Sequence, residues 1–139
     1  MDPLPAELFL CEDAAGTANV TKFGENLTMS MKEKMHTGAL YLPGDREILQ
    51  EQMQRLDRLY DFNMTRPSEL AKRQALLKEM FAEIGEDCYV EPPLYSNFGG
   101  GHVHFGRNIY ANFHLTLVDD THIYVGDYTM FGPNVIVAT

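Results

Sequence analysis

From Phe105 onward an apolar residue returns at every sixth position, a period that fits neither an α-helix nor a flat strand. The hexad Phe105-Gly106-Arg107-Asn108-Ile109-Tyr110 leads into Ala111 to Thr116 and then Leu117 to His122. After a slip of two residues the frame resumes with Val125 to Met130 and Phe131 to Ile136, and Val137 opens the next hexad. Such a period predicts a parallel β-helix, in which each hexad supplies one short strand and one corner and three hexads make a triangular coil. The first residue of each hexad should point inward and stack on its equivalents. Glycine in second place, at Gly106, Gly126 and Gly132, should permit corner conformations that a Cβ penalises. Gly106 and Gly126 are expected at one corner of adjacent coils. The competing reading, an antiparallel meander with glycine turns, lacks the sustained alternation such strands need.

Composition narrows the function classes. A chain of 139 residues, 45% hydrophobic, suffices for one domain with a modest core, and no apolar run is long enough to span a bilayer. The formal charge of −9 argues against nucleic acid or an anionic membrane as partner, since both select a basic surface. Cys11 and Cys88 are too few for a disulfide framework or a zinc site, and no signal peptide follows Met1, so a reduced, cytoplasmic setting is expected. The sequons at Asn19, Asn26 and Asn63 then read as coincidence.

Residues 1–30 form a leader without sustained period, and no function is placed on it. Residues 31–85 read as helical. A first helix is expected over Met31 to Leu40, stopped by Pro43 and Gly44; Asp45 is placed to cap a second, about Arg46 to Phe62, with Leu49, Met53, Leu56, Leu59 and Tyr60 on its apolar face. A third should start near Pro67, present Leu70, Leu77, Met80, Phe81 and Ile84, and close on Gly85 as a glycine cap. Together the helices are expected to cover the open end of the β-helix, which needs a cap. Residues 86–139 would be its first coils.

The module Met35-His36-Thr37-Gly38-Ala39-Leu40-Tyr41, the segments Arg66 to Leu70 and Val90-Glu91-Pro92-Pro93, and above all the run from Gly106 to Asp120 carry a resemblance. They resemble the maltose and galactoside O-acetyltransferases over nearly everything from Met31 onward. The resemblance implies a left-handed β-helix, an exception to the usual right-handed crossover, capped by helices and assembled as a homotrimer with sites between subunits. It implies transfer of an acetyl group from acetyl-CoA to a sugar hydroxyl of the maltose, glucose or galactoside type, with a histidine general base and a donor for the oxyanion. Residue by residue, Asn112 matches the oxyanion asparagine, Tyr110 a tyrosine lining the acetyl site, and Asp120 an aspartate that binds the acceptor. Asp45 matches a second acceptor-binding aspartate more loosely, and Ser96 or Asn97 fills the polar position of the loop after Pro92-Pro93.

One departure matters. In the family, Gly-Pro-Asn-Val and a short strand lead into a Gly-His-Pro-type turn bearing the catalytic histidine, and this sequence stops at Thr139, just short of it. None of its five histidines occupies that place. The expectation is a truncated enzyme or an inactive remnant, inactive as 139 residues, with the CoA-binding coils beyond Thr139. A non-catalytic module that trimerises or holds a sugar is the alternative, and an acetyltransferase for an antibiotic or amino acid is a third reading that the helical leader disfavours. His102, His104, His114 and His122 invite a metal reading, but zinc wants three or four converging ligands with second-shell support. These side chains are expected at corners or facing outward, so no metal is expected. Phe98 to His102 lacks the Lys and Ser/Thr of a phosphate-binding loop.

Overall fold

The computed structural model describes residues 29–139. Three helices, α1 (Met31–Met35), α2 (Arg46–Asn63) and α3 (Leu70–Met80), precede nine short strands, β1 (Glu83–Ile84), β2 (Tyr89–Val90), β3 (Tyr95–Ser96), β4 (Val103–Phe105), β5 (Tyr110–Ala111), β6 (Thr116–Val118), β7 (Ile123–Val125), β8 (Met130–Phe131) and β9 (Ile136–Ala138). The strands form three parallel sheets, β1-β4-β7, β2-β5-β8 and β3-β6-β9, so the chain passes from face to face of a prism and completes three coils. This is the left-handed parallel β-helix expected of the hexads. Among the described residues no helix is long and apolar enough to cross a membrane.

Register shows where the six-residue period gives way. Glu83 pairs with His104 and His104 with Tyr124, so successive coils exceed three hexads by three residues and then by two. All the extra residues lie at one corner, between β3 and β4 and between β6 and β7. Phe105, Ala111 and Leu117, the first residues of their hexads, are buried and form one cluster with Ile109 and Leu115. Each large apolar side chain so buried contributes roughly 1.5–3 kcal/mol. The same cluster takes in Leu77, Met80 and Phe81, and Phe81 meets Phe105 edge to face with ring centres 5.0 Å apart. The helical segment thus plugs the first coil.

Gly106 and Gly126 stand at one corner of adjacent coils as expected, with Gly85 on the coil before. At Gly85 and Gly106 the physical reason is different from the one the hexads suggest. None of the three has a left-handed backbone; a Cβ at Gly85 would sit 2.5 Å from the Gly106 carbonyl oxygen, so close approach of the next coil is what demands glycine there. The left-handed conformation falls two residues later, on Asp87, Asn108 and Tyr128, and at the next corner on His114 and Asn134. Gly85 is therefore a β-helix corner and not a helix cap: α3 ends at Met80, and Phe81 is already extended.

The helices differ from expectation in extent and facing. Ser30 and Glu33 form a reciprocal capping box that starts α1, but the helix stops at Met35, with Gly38 at φ +74, instead of running to Leu40. Asp45 caps α2 as expected, through bonds from the Glu47 and Ile48 amides. On α2 the buried residues are Ile48, Leu59 and Phe62, while Leu49, Met53 and Tyr60 are exposed. The face turned to the β-helix includes Arg55, whose backbone and guanidinium pack on Gly99 and Gly101. Close packing against glycines outweighs the apolar stripe. On α3, Leu70 is exposed and Arg73 is buried beside Leu77 and Met80.

Candidate functional site

The lengthened corner meets the loop between α1 and α2, and a cavity of about 390 Å³ opens there. Met35, Tyr41, Pro43, Gly44, Ile48, Leu49 and Gln52 supply the helical wall; Asn97, Phe98 and Asp120 supply the β-helix wall. Asn97 belongs to the corner after β3 and Asp120 to the corner after β6, so the stacking of coils brings them together across the sequence. Asn97 Nδ2 donates to Asp120 Oδ1 at 2.9 Å, and the Tyr41 hydroxyl donates to Asp120 Oδ2 at 3.3 Å. Burial, and then the carboxylate beside it, push the Tyr41 phenol up, which keeps it a proton donor at neutral pH. An ionised carboxylate has about four lone-pair sites, so Asp120 keeps acceptor capacity for a ligand hydroxyl in the cavity.

Two of the sequence-nominated residues, Asn97 and Asp120, therefore share one site. Asp45 stands beside its rim: Pro43 and Gly44 line the cavity, whereas the Asp45 carboxylate is engaged by the first turn of α2. Tyr110 and Asn112 lie on another sheet and its corner, in and just after β5, and neither lines the cavity. Tyr110 stacks on Tyr89 with centroids 6.2 Å apart and reaches Glu91 at 3.5 Å. Asn112 Oδ1 accepts from the Phe113 amide at 2.8 Å. That bond fixes the side chain's orientation and leaves its Nδ2 donors for a ligand.

Sequence reasoning missed Tyr41, Phe98 and Gln52 as cavity residues. The available signal was Tyr41 itself, an aromatic with a polar tip in a stretch, Leu40 to Gly44, that is otherwise Leu, Pro and Gly. Of the histidines expected at corners or facing outward, His114 and His122 are exposed and His104 is half-buried, but His102 departs from that expectation. His102 is buried, and His36, His102, His104 and His122 form one cluster with neighbouring ring centres 4.7 to 5.5 Å apart, while His114 stacks on Tyr95 elsewhere. Among the described residues no group of three or more His, Cys, Asp or Glu is arranged to hold a metal ion. The sequon residue Asn63 is committed internally, bonding both the amide and the carbonyl of Leu94. Asn19, Asn26 and Cys11 lie outside the described residues.

Residues 34–85 match the family model of the maltose acetyltransferase hexapeptide capping motif. The chain is 52% identical over 107 residues to a galactoside O-acetyltransferase of Lactococcus lactis, covering 77% of this chain and 52% of that protein. Among solved structures it resembles a galactoside acetyltransferase in complex with coenzyme A, with a TM-score of 0.74 at 41% identity over 78% of this chain and 54% of the other. It also resembles a maltose O-acetyltransferase from Clostridium difficile, with a TM-score of 0.78 at 32% identity, covering 80% of this chain and 59% of the other. The chain thus spans rather more than half the length of the relatives it matches. With its capping helices, its hexad-built coils and these likenesses, the chain belongs to the maltose and galactoside O-acetyltransferase family of hexapeptide-repeat proteins.

Proposed function

We propose that the protein is part of an acetyl-CoA-dependent O-acetyltransferase for a sugar hydroxyl, and that the cavity walled by Tyr41, Asn97 and Asp120 holds the acceptor. The observation that carries this reading is Asp120, a carboxylate anchored on both oxygens by neutral donors and set in a cavity between two elements. Such a group takes hydrogen bonds from hydroxyls and rejects analogues that lack them. Met35, Ile48, Leu49 and Phe98 provide apolar surface for the sugar's carbon faces.

The acetyl half of the site comes from Asn112 and Tyr110 of a neighbouring copy in a homotrimer. Their position away from the cavity, with the Asn112 Nδ2 donors unused by the hydrogen bonds of the described residues, supports this division. As the hydroxyl attacks the thioester, the carbonyl oxygen gains charge, and Nδ2 supplies the donor that stabilises it. Tyr110 walls the acetyl pocket. Acetyl-CoA is the co-substrate, and one structure neighbour is complexed with coenzyme A and another, from Vibrio cholerae, with acetyl-CoA. Asp45 serves from behind, capping α2 and holding the Pro43-Gly44 rim. No histidine lines the cavity, which favours acceptor binding without turnover by these 139 residues and keeps the alternative of a sugar-binding module in view. A cytoplasmic location is part of the proposal, supported by the buried free thiol of Cys88.

The test is acceptor binding by ligand-observed NMR with a galactoside, maltose and glucose. Saturating contact with at least one sugar, abolished in Asp120→Ala, is expected. Binding unaffected by that substitution would remove the cavity from consideration. In parallel, thiol release from acetyl-CoA by the 139-residue chain should stay at background, since general-base catalysis supplies about 10²–10⁴-fold; robust release would place a base among the residues described.

A further inference from the structure

Asp119 precedes Asp120 and faces the opposite way. It has no exposed surface, and a carboxylate buried to this degree persists only where donors converge on it. Every donor comes from one segment. Oδ1 accepts from the Ser96 hydroxyl and from the Phe98 amide at 2.8 Å, and Oδ2 accepts from the Gly100 amide at 3.1 Å. The Asp119 backbone carbonyl meets His102 Nδ1 at 2.7 Å, and the Ser96 hydroxyl oxygen accepts in turn from Gly100 at 2.8 Å. Around this centre the chain turns through left-handed glycines at Gly99 and Gly100, with φ of +60 and +87.

We propose that Asp119 is a positioning residue for the acceptor cavity: its buried carboxylate winds the Ser96–Gly101 loop around itself and so presents the Asn97 amide to Asp120 and the Phe98 ring to the cavity wall. The inference rests on the reading of that cavity as the acceptor site. Asn97 itself is exposed and makes no hydrogen bond to Asp119. Its aim is set by its neighbours on both sides, Ser96 and Phe98, which Asp119 holds directly. The two adjacent aspartates thus act on one ligand from different distances, Asp120 by touching it and Asp119 through the loop. Glycine is required at Gly100, where a Cβ would run into the Phe81 ring, so the loop has no alternative path on that side.

The experiment is a double-mutant cycle in the 139-residue chain with Asp119→Asn, Asn97→Ala and the pair, read by sugar titration and by amide hydrogen exchange. Asp119→Asn sets an amide NH₂ against N–H donors. It should weaken sugar binding by about tenfold, the equivalent of roughly one hydrogen bond, and should speed exchange at Phe98 and Gly100 while Ala111 and Leu117 keep their protection. The double variant should bind no more weakly than the weaker single one. Additive losses, or unchanged exchange at Phe98 and Gly100, would overturn the proposal. Should Asp119→Asn fail to fold, Ser96→Ala removes one anchor only and must show the same pattern in smaller degree; its absence there also overturns the proposal. A wild-type chain that binds no sugar defeats the functional reading, while the exchange data still decide the loop.

Discussion

The rings of His104 and His122 meet nitrogen to nitrogen, Nε2 to Nδ1 at 2.9 Å, across adjacent coils of the β-helix. One of the two must be neutral at that nitrogen to accept, so the contact is incompatible with two imidazolium ions. The cluster extends to His102 and to His36, which caps α1 and bonds Thr121 at 3.0 Å.

Acid should therefore loosen the attachment of α1. Desolvation, and then the neighbouring imidazoles, hold the His36 and His122 pKa values below 6.5. At His36, Glu51 acts against this and Lys32 adds to it, and Glu83 lies 3.4 Å from His104. Because the unfolded chain binds protons more readily, the stability from these groups is complete above pH 6.5 and is lost as pH falls through that value towards the folded pKa values. Melting temperatures at about pH 7.5 and about pH 5.5 should differ more for the wild type than for His122→Asn. Equal differences would dismiss the cluster as a pH sensor.

The three stacked glycines offer a graded test of close approach. Gly85→Ala drives a Cβ onto the backbone of Gly106 and Arg107, and Gly106→Ala drives one onto Asp127, which holds the Arg107 amide. Each should cost about 1–3 kcal/mol, as overpacking does. Gly126→Ala meets nothing within 4 Å, and chemical denaturation should find it within about 0.5 kcal/mol of wild type. A uniform effect at all three would mean that backbone conformation, not contact, fixes these positions.

How much of this could be read from the sequence depends on the range of the interaction. The hexads display their own period, so the coils and the burial of Phe105, Ala111 and Leu117 were legible, as was Asp45 as a cap, because capping needs only the next few residues. The buried face of α2 was not, since it is set by glycines more than thirty residues later. Asn97 and Asp120 were nominated by resemblance, but their contact depends on how much chain each corner inserts. The histidine cluster was illegible for the same reason: His36 directly follows α1, and the others come from two separate coils.

Buried Arg73 donates to the Thr65 hydroxyl at 2.8 Å, the Thr65 carbonyl at 3.3 Å and the Tyr89 hydroxyl at 3.2 Å, tying α3 to the preceding turn and the first coil. Arg73→Ala removes a donor from each of those oxygens. Urea unfolding should show a loss of at least about 1.5–3 kcal/mol, the worth of one hydrogen bond to a charged group. A loss below about 0.5 kcal/mol would show the guanidinium to be dispensable.

The division of the proposed site predicts distinct kinetic signatures in a form of the protein that transfers acetyl groups. Asn112→Ala should lower kcat by about 10²–10³-fold with little change in KM for acetyl-CoA. Asp120→Ala should instead raise KM for the sugar. Steady-state assays varying each substrate separate the two, and identical patterns for both variants would withdraw the assignment of roles.

The coils lengthen at one corner only, and the remaining corners keep their spacing. Loop length at a corner is entropically inexpensive, and here it leaves the stacking of all three sheets undisturbed. Acceptor preference and scaffold integrity are consequently written in different places. Exchange of residues 97–102 and 119–122 between relatives, with Asp119 and its glycine partners kept, should re-aim the protein at a different small molecule without requiring its interior to be packed anew.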